Sequence, residues 1–176
     1  MLKCFYPGAY LDSAYELPYE RLYEKGYRGI IFDVDNTLVP HGAPADQKAL
    51  ELFERLRGIG FSTCILSNNK EPRVKPFADS VKSPYLYKGG KPKRRGYVKA
   101  MERMGTSREQ TLFVGDQLFT DVWGANRSGI FSVLTKPIDP REEIQIVLKR
   151  CPEAVVLFFY QRWRQNDKKQ LKSNEL

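Results

Sequence analysis

The 176-residue sequence has one histidine and three cysteines, and Cys4, Cys64 and Cys151 lie far apart with no CxxC pair. A zinc site needs clustered Cys and His ligands and a disulfide framework needs paired cysteines, so neither is expected. A reducing compartment, the cytoplasm, is the expected home. Long apolar runs are also missing: the longest, Ala154–Tyr160, has seven residues, where a membrane-spanning helix needs roughly 20. Near the N-terminus Pro7, Gly8, Asp12 and Ser13 interrupt any apolar stretch, so no signal peptide is expected. No repeat, low-complexity linker or break in composition divides the chain. A single domain over residues 1–176 is therefore expected, with 1–28 an N-terminal extension packed on it and 151–176 an apolar and basic tail.

What is present is an ordinary globular composition, 41% hydrophobic and 28% charged, with a surplus of basic residues. Lys and Arg number 29 against 21 Asp and Glu, a net charge of +8. The surplus is local. Residues 70–108 hold twelve Lys and Arg against Glu71, Asp79 and Glu102, so the rest of the chain is close to neutral. A basic patch of this size asks for an anionic partner: nucleic acid, a membrane surface or a phosphorylated substrate.

Apolar runs and amphipathic segments alternate along the chain. Residues 18–25 predict a short helix that stops at Gly26. Gly29–Val34 predicts a strand buried on both faces and ending in acidic residues. The next helix places Ala49, Phe53, Leu56 and Ile59 on one face. A second strand, residues 61–69, ends in Ser67, Asn68 and Asn69. Residues 70–79 predict a weak helix broken by Pro72 and Pro76, followed by a short strand at 85–88 and a helix at 94–105. A third long strand covers 111–116, a helix runs from about Phe119 to Arg127, a strand covers 131–135, and Pro140 opens a further helix. This alternation predicts an α/β, Rossmann-like three-layer fold, a parallel sheet flanked by helices.

In such sheets ligands bind beyond the carboxyl ends of the strands, and here those ends are polar. The first holds Asp33, Asp35 and Thr37, the second Ser67 and Asn68, and the third Gly115 and Asp116. Lys91 sits in a Gly89-Gly90-Lys91-Pro92 loop, and Asp121 follows Asp116 by five residues. Carboxylates converging without a cation would repel one another, so a divalent metal is expected, and oxygen donors without Cys or His select Mg²⁺. One carboxylate can attack phosphorus while another handles protons. Mg²⁺ and Lys91 would neutralise the phosphoryl oxygens, to which Thr37 and Ser67 offer neutral donors.

DVDNT, LSNN, the KP loop and GDQLFTD stand in the order and spacing of the four motifs of haloacid dehalogenase-like (HAD) phosphohydrolases, which the sequence resembles. The resemblance implies that Asp33 is the nucleophile and a metal ligand. Asp35 would be the general acid/base and give the metal its backbone carbonyl, while Thr37 orients the loop. Ser67 and Lys91 would hold phosphate, Asp116 would bind Mg²⁺, and Asp121 would support Lys91 or a metal-bound water. Thr37 to Ser67 leaves 29 residues and Ser67 to Lys91 leaves 23, too few for the cap domain of many related phosphatases. From about residue 3 to 136 the sequence is similar to the YqeG-type subclass IIIA phosphatases, which are related to mitochondrial phosphatidylglycerophosphate phosphatases. That kinship implies a phospholipid headgroup, phosphatidylglycerophosphate, as substrate. Nucleic-acid ends or nucleotides stand as a second substrate class, and an RNA- or ribosome-binding protein without activity as a third reading.

Other features have plainer readings. Asn68 and Asn69 either touch phosphate or cap the next helix. His41 reads as a loop residue at the rim of the site, and Cys64 as core. The segment from Cys151 to Lys169 mixes strand and helix signals. It reads either as an added core element or as an interfacial one in which Phe158, Phe159, Tyr160 and Trp163 meet lipid beside Arg162, Arg164, Lys168 and Lys169, a peripheral membrane contact.

Overall fold

The computed structural model describes residues 2–139 and 152–165. Strands β1 (Ala9–Leu11), β2 (Gly29–Phe32), β3 (Ser62–Leu66), β4 (Tyr85–Leu86), β5 (Thr111–Gly115) and β6 (Phe131–Thr135) form one parallel sheet in the order β1-β6-β5-β2-β3-β4. Helices α1 (Tyr19–Glu24), α2 (Gln47–Ile59), α3 (Glu71–Ser80), α4 (Arg94–Met104) and α5 (Trp123–Arg127) connect them, and a further helix, α6, covers 152–165. The central pair is in register Ile31↔Cys64 on one side of β2 and Ile31↔Phe113 on the other.

Strand alternation sorts the core into two layers. Ile30 and Phe32 pack with Tyr19, Phe53, Leu56 and Phe77 on one face. Ile31, Cys64 and Phe113 pack with Tyr97, Ala100 and Ala125 on the other. Cys64 is core, and burial pushes its thiol up to about 12. A third cluster joins Leu118, Val122 and Leu134 to Val156 of α6 and to Phe5, Tyr6 and Tyr10 near the N-terminus.

Three expectations change. Residues 71–80 form one continuous helix instead of a broken one, because Pro72 falls in the first turn, where its missing N–H costs nothing, and α3 absorbs Pro76 within it. The helix expected from Phe119 opens as a single π-helical turn, Leu118–Val122, before α5. The apolar block after residue 151 is helical and splits its aromatics: Tyr160 is only 2% exposed, so it belongs to the core and not to a lipid-facing surface. The helix expected at Pro140, Cys151, and Lys168 and Lys169 of the tail lie outside the described residues. β1, beside β6, is a sheet strand too short to announce itself in the sequence.

Candidate active site

The polar strand ends converge as the topology requires. β2 and β5 are neighbours, with Asp33 N–H donating to the Val114 carbonyl, so the residues just past them, Asp33 and Asp116, share one crevice. Both are buried, as are Asp35, Thr37, Ser67, Lys91 and Asp121. Lys91 comes from the loop after β4 and is buried between two carboxylates, 2.9 Å from Asp33 Oδ1 and 2.7 Å from Asp121 Oδ1. Burial works to lower the Lys91 pKa, but Asp121 and Asp33 overcome it and hold the ammonium protonated above the ordinary lysine range. Burial pushes Asp33 up to about 7, partly offset by Lys91 and reinforced by Asp121.

Asp121 reaches the centre through the π turn, a local widening found often at functional sites. The Tyr97 hydroxyl donates to the Thr120 and Asp121 carbonyls, and Gln117 N–H donates to Asp121 Oδ2. At Gly115 a Cβ would lie 2.4 Å from Asp121 Oδ2, so only glycine lets that carboxylate close on the end of β5. Sequence reasoning gave Tyr97 no role. Its only signal is a tyrosine inside an otherwise amphipathic helix.

Asp33, Asp116 and Asp121 each offer a carboxylate oxygen, all within 4.8 Å of one another. This buried, all-oxygen donor set could hold a divalent cation, and its chemistry suits hard ions and not zinc. Thr37 Oγ1 donates to Asp116 Oδ1 at 3.2 Å. Ser67 lies at the end of β3, its Oγ accepting from Asn69 N–H and its carbonyl from Gly89 N–H. The Asn68 amide engages the lysine loop: Lys91 N–H donates to its Oδ1, and its Nδ2 donates to the Lys91 carbonyl. These paired bonds lock the loops after β3 and β4 together.

The Asp35 carboxylate is held by a separate set of partners. Oδ1 accepts from Arg73 and from Gly42 N–H, and Oδ2 accepts from Asn69 Nδ2. His41 Nδ1 stands 4.0 Å from Asp35 Oδ1 on a half-exposed side chain at the rim. Arg73, one turn into α3, has no sequence signal beyond its charge. The spans between the motifs hold only α2 with β3 and α3 with β4, and no cap domain stands over the crevice among the described residues.

Two aspartates just past parallel strand ends, a third on the π turn and a buried lysine between them define an acid–lysine centre of the hydrolase kind. The chain belongs to the haloacid dehalogenase-like hydrolase family, whose model matches residues 42–129. It is 38% identical over 140 residues to "Probable phosphatase YqeG" of Bacillus subtilis (strain 168), spanning 78% of this chain and 81% of that one. It is 28% identical to the chloroplastic/mitochondrial phosphatidylglycerophosphate phosphatase 1 of Arabidopsis thaliana, over 84% of this chain but 44% of that longer protein. The fold matches a HAD superfamily (subfamily III A) hydrolase from Legionella pneumophila with a TM-score of 0.52 at 17% identity, covering 74% of each chain.

Proposed function

We propose that the protein is a Mg²⁺-dependent phosphomonoester hydrolase working through an aspartyl-phosphate on Asp33, with a phospholipid headgroup such as phosphatidylglycerophosphate as substrate. The observation that carries the reading is the Asp33–Lys91–Asp121 chain, a nucleophile, a phosphate-binding cation and its anchor within ion-pair distance of one another. A carboxylate oxygen of Asp33 attacks phosphorus, the bond from phosphorus to the ester oxygen breaks, and Asp35 protonates the leaving alkoxide. Water then attacks the acyl phosphate, Asp35 takes its proton, and phosphate leaves. Lys91, with Ser67 and Thr37, binds the phosphoryl oxygens while Asn68 fixes the lysine loop. Asp33 and Asp116, with the Asp35 carbonyl, would hold the cation, and Asp121 sets Lys91. When bound, the cation supplies positive charge against the buried carboxylates and the developing charge on the phosphoryl group.

Three features support a substrate presented at a membrane. The relatives' names point to a phosphatidylglycerophosphate or a phosphatase of unspecified substrate. Among the described residues the crevice is uncapped, which suits a substrate that covers the site itself. On α6, Val155, Phe158 and Phe159 are 56%, 60% and 45% exposed, with Arg162 a turn further on. That face is the proposed peripheral contact with anionic lipid. Among the described residues no helix is long and apolar enough to cross a membrane. A cytoplasmic protein resting on the bilayer is the corresponding placement.

The test is phosphate release, with and without Mg²⁺, from phosphatidylglycerophosphate vesicles, a 3′-phosphorylated oligonucleotide, nucleotides and an aryl phosphate, by the wild type and Asp33→Asn. Release from the vesicles that is lost in Asp33→Asn is the expected result. Release from the oligonucleotide alone overturns the lipid assignment, and no release from any substrate overturns the enzyme assignment.

A further inference from the structure

Beyond the carboxyl end of β4, on the same side of the sheet as Asp33, lies a cleft of about 280 Å³. Lys88, Lys93, Arg95 and Lys99 line it together with Gly89 and Gly90, and no carboxylate does. None of the four cations is in an ion pair among the described residues, whereas Arg55, Lys75 and Lys136 elsewhere on the surface each find an acid. Arg95 and Lys99 are four apart on α4, a like-charge spacing that costs an isolated helix about 0.2–0.5 kcal/mol. Lys88 holds a φ of 46°, a left-handed conformation that glycine or asparagine would adopt with less strain. These are costs to the fold, and no acid among the described residues offsets the charge. An anion in the cleft would.

The loop of the cleft is also fastened to the loop after β3 that borders the catalytic crevice. Lys88 N–H donates to the Asn69 carbonyl and Gly89 N–H to the Ser67 carbonyl, so its floor is fastened to the loop that carries Ser67. A Cβ at Gly96 would lie 2.5 Å from the Gly89 carbonyl oxygen, so α4 and this loop meet in a contact that only glycine permits. Lys93 is two residues from Lys91, and its N–H closes a turn onto the Gly90 carbonyl. Lys91, which binds the scissile phosphate, thus shares one tightly braced loop with Lys88 and Lys93, and α4 packs Arg95 and Lys99 against it.

We propose that this cleft is a subsite for a second phosphate group on the same substrate, a phosphodiester one linker away from the phosphomonoester that Asp33 attacks. The inference rests on the phosphatase reading and adds to it the place where the non-scissile phosphate of a two-phosphate substrate is held. Four cations suit a non-scissile phosphate because they bind it by charge and leave reactivity to the buried centre.

The test has a binding arm and a kinetic arm. Amide spectra of the ¹⁵N-labelled protein are followed while glycerophosphoglycerol, a phosphodiester with no phosphomonoester, is added. Saturable shifts at Gly89, Gly90, Lys93 and Gly96 are expected, with a Kd raised at least about tenfold in Lys93→Gln/Lys99→Gln and unmoved in the control Lys48→Gln. In the kinetic arm the same double variant is compared on glycerophosphoglycerol phosphate and on an aryl phosphate. The ratio of kcat/KM for the two substrates should fall about tenfold, which identifies the second phosphate as part of the substrate. No saturable shift, or a ratio equal to the wild type's, overturns the proposal. If the wild type hydrolyses no phosphomonoester the catalytic reading fails, and the amide titration still decides whether the cleft binds a phosphodiester.

Discussion

Arg73 grips Asp35 through two nitrogens, Nη2 at 2.8 Å and Nε at 3.1 Å, and both fall on the same carboxylate oxygen, Oδ1. Asn69 occupies Oδ2 at 2.7 Å. The carboxylate proposed to protonate the leaving group is therefore held by α3 and by the loop after β3, and its own loop adds the Gly42 N–H, with His41 Nδ1 4.0 Å away. Arg73 is a positioning residue, and the consequence depends on the leaving group. Arg73→Met should cut kcat on an alkyl phosphate, which needs a proton, by about a hundredfold, the low end of what acid catalysis supplies. On a nitrophenyl phosphate, whose leaving group needs none, the loss should be far smaller. Arg73→Lys should restore part of the difference. Equal losses on both substrates would mean that Arg73 supports the fold and not the acid.

Much of this site was readable from the sequence, because a parallel sheet brings its strand ends together whatever the loops between them do. Asp33, Ser67 and Asp116 follow three apolar runs, and those runs are adjacent strands. What was hidden depends on chain geometry at long range. Arg73 and Tyr97 act from helix faces, and neither spacing nor charge marks which way they point. The π turn that delivers Asp121 has no sequence pattern distinct from an α-helical start. β1 is three residues long and gains its pairing from β6, more than 120 positions away. Tyr160 shows the same limit, since periodicity within one short segment did not reveal that Tyr6 would pack against it at 5.5 Å between ring centroids.

Gly115→Ala tests how tightly the π turn must close. The added methyl would lie 2.4 Å from Asp121 Oδ2 and 2.6 Å from its Cγ, so the carboxylate must move and take its ion pair with Lys91 along. Overpacking of this kind costs about 1–3 kcal/mol, and a misplacement near 1 Å can cost about a hundredfold in rate. Steady-state kinetics should show a fall of that order with a lower melting temperature. Gly58, on α2, has open space where a Cβ would go, and Gly58→Ala should instead stabilise by about 0.5–1 kcal/mol. Wild-type activity in Gly115→Ala would show that Asp121 is free to relocate.

The elevated Asp33 carboxyl makes a stability prediction whose sign is fixed. Its pKa rises from 3.8 to about 7 on folding without a cation, so between those values the folded state binds more protons than the unfolded one. Stability attributable to Asp33 therefore falls as pH rises from about 4 to 7. Chemical denaturation in chelator should show the wild type losing on the order of 2–4 kcal/mol relative to Asp33→Asn across that window. Saturating Mg²⁺ should recover most of the loss in the wild type and less in the variant, since Asp33 is one of its proposed ligands. A pH-independent difference between the two proteins would mean that Asp33 is not buried as a charge.

The last prediction concerns α6. Val156 and Tyr160 face inward while Val155, Phe158 and Phe159, at i, i+3 and i+4, face out, so the helix is apolar on two sides. Its buried Glu153 accepts a hydrogen bond from Leu118 N–H at 2.9 Å, which ties the helix to the π turn of the active site. An outward apolar face seated in lipid would then hold the uncapped crevice at the membrane surface. Replacing both phenylalanines, Phe158→Ser/Phe159→Ser, removes apolar area that a bilayer would bury and should weaken co-sedimentation with anionic vesicles at least about tenfold. Raised salt should weaken binding further, because Arg162 and the basic segment 70–108 contribute by charge. Co-sedimentation unchanged in the double variant would assign membrane contact to the basic segment alone and remove α6 from it.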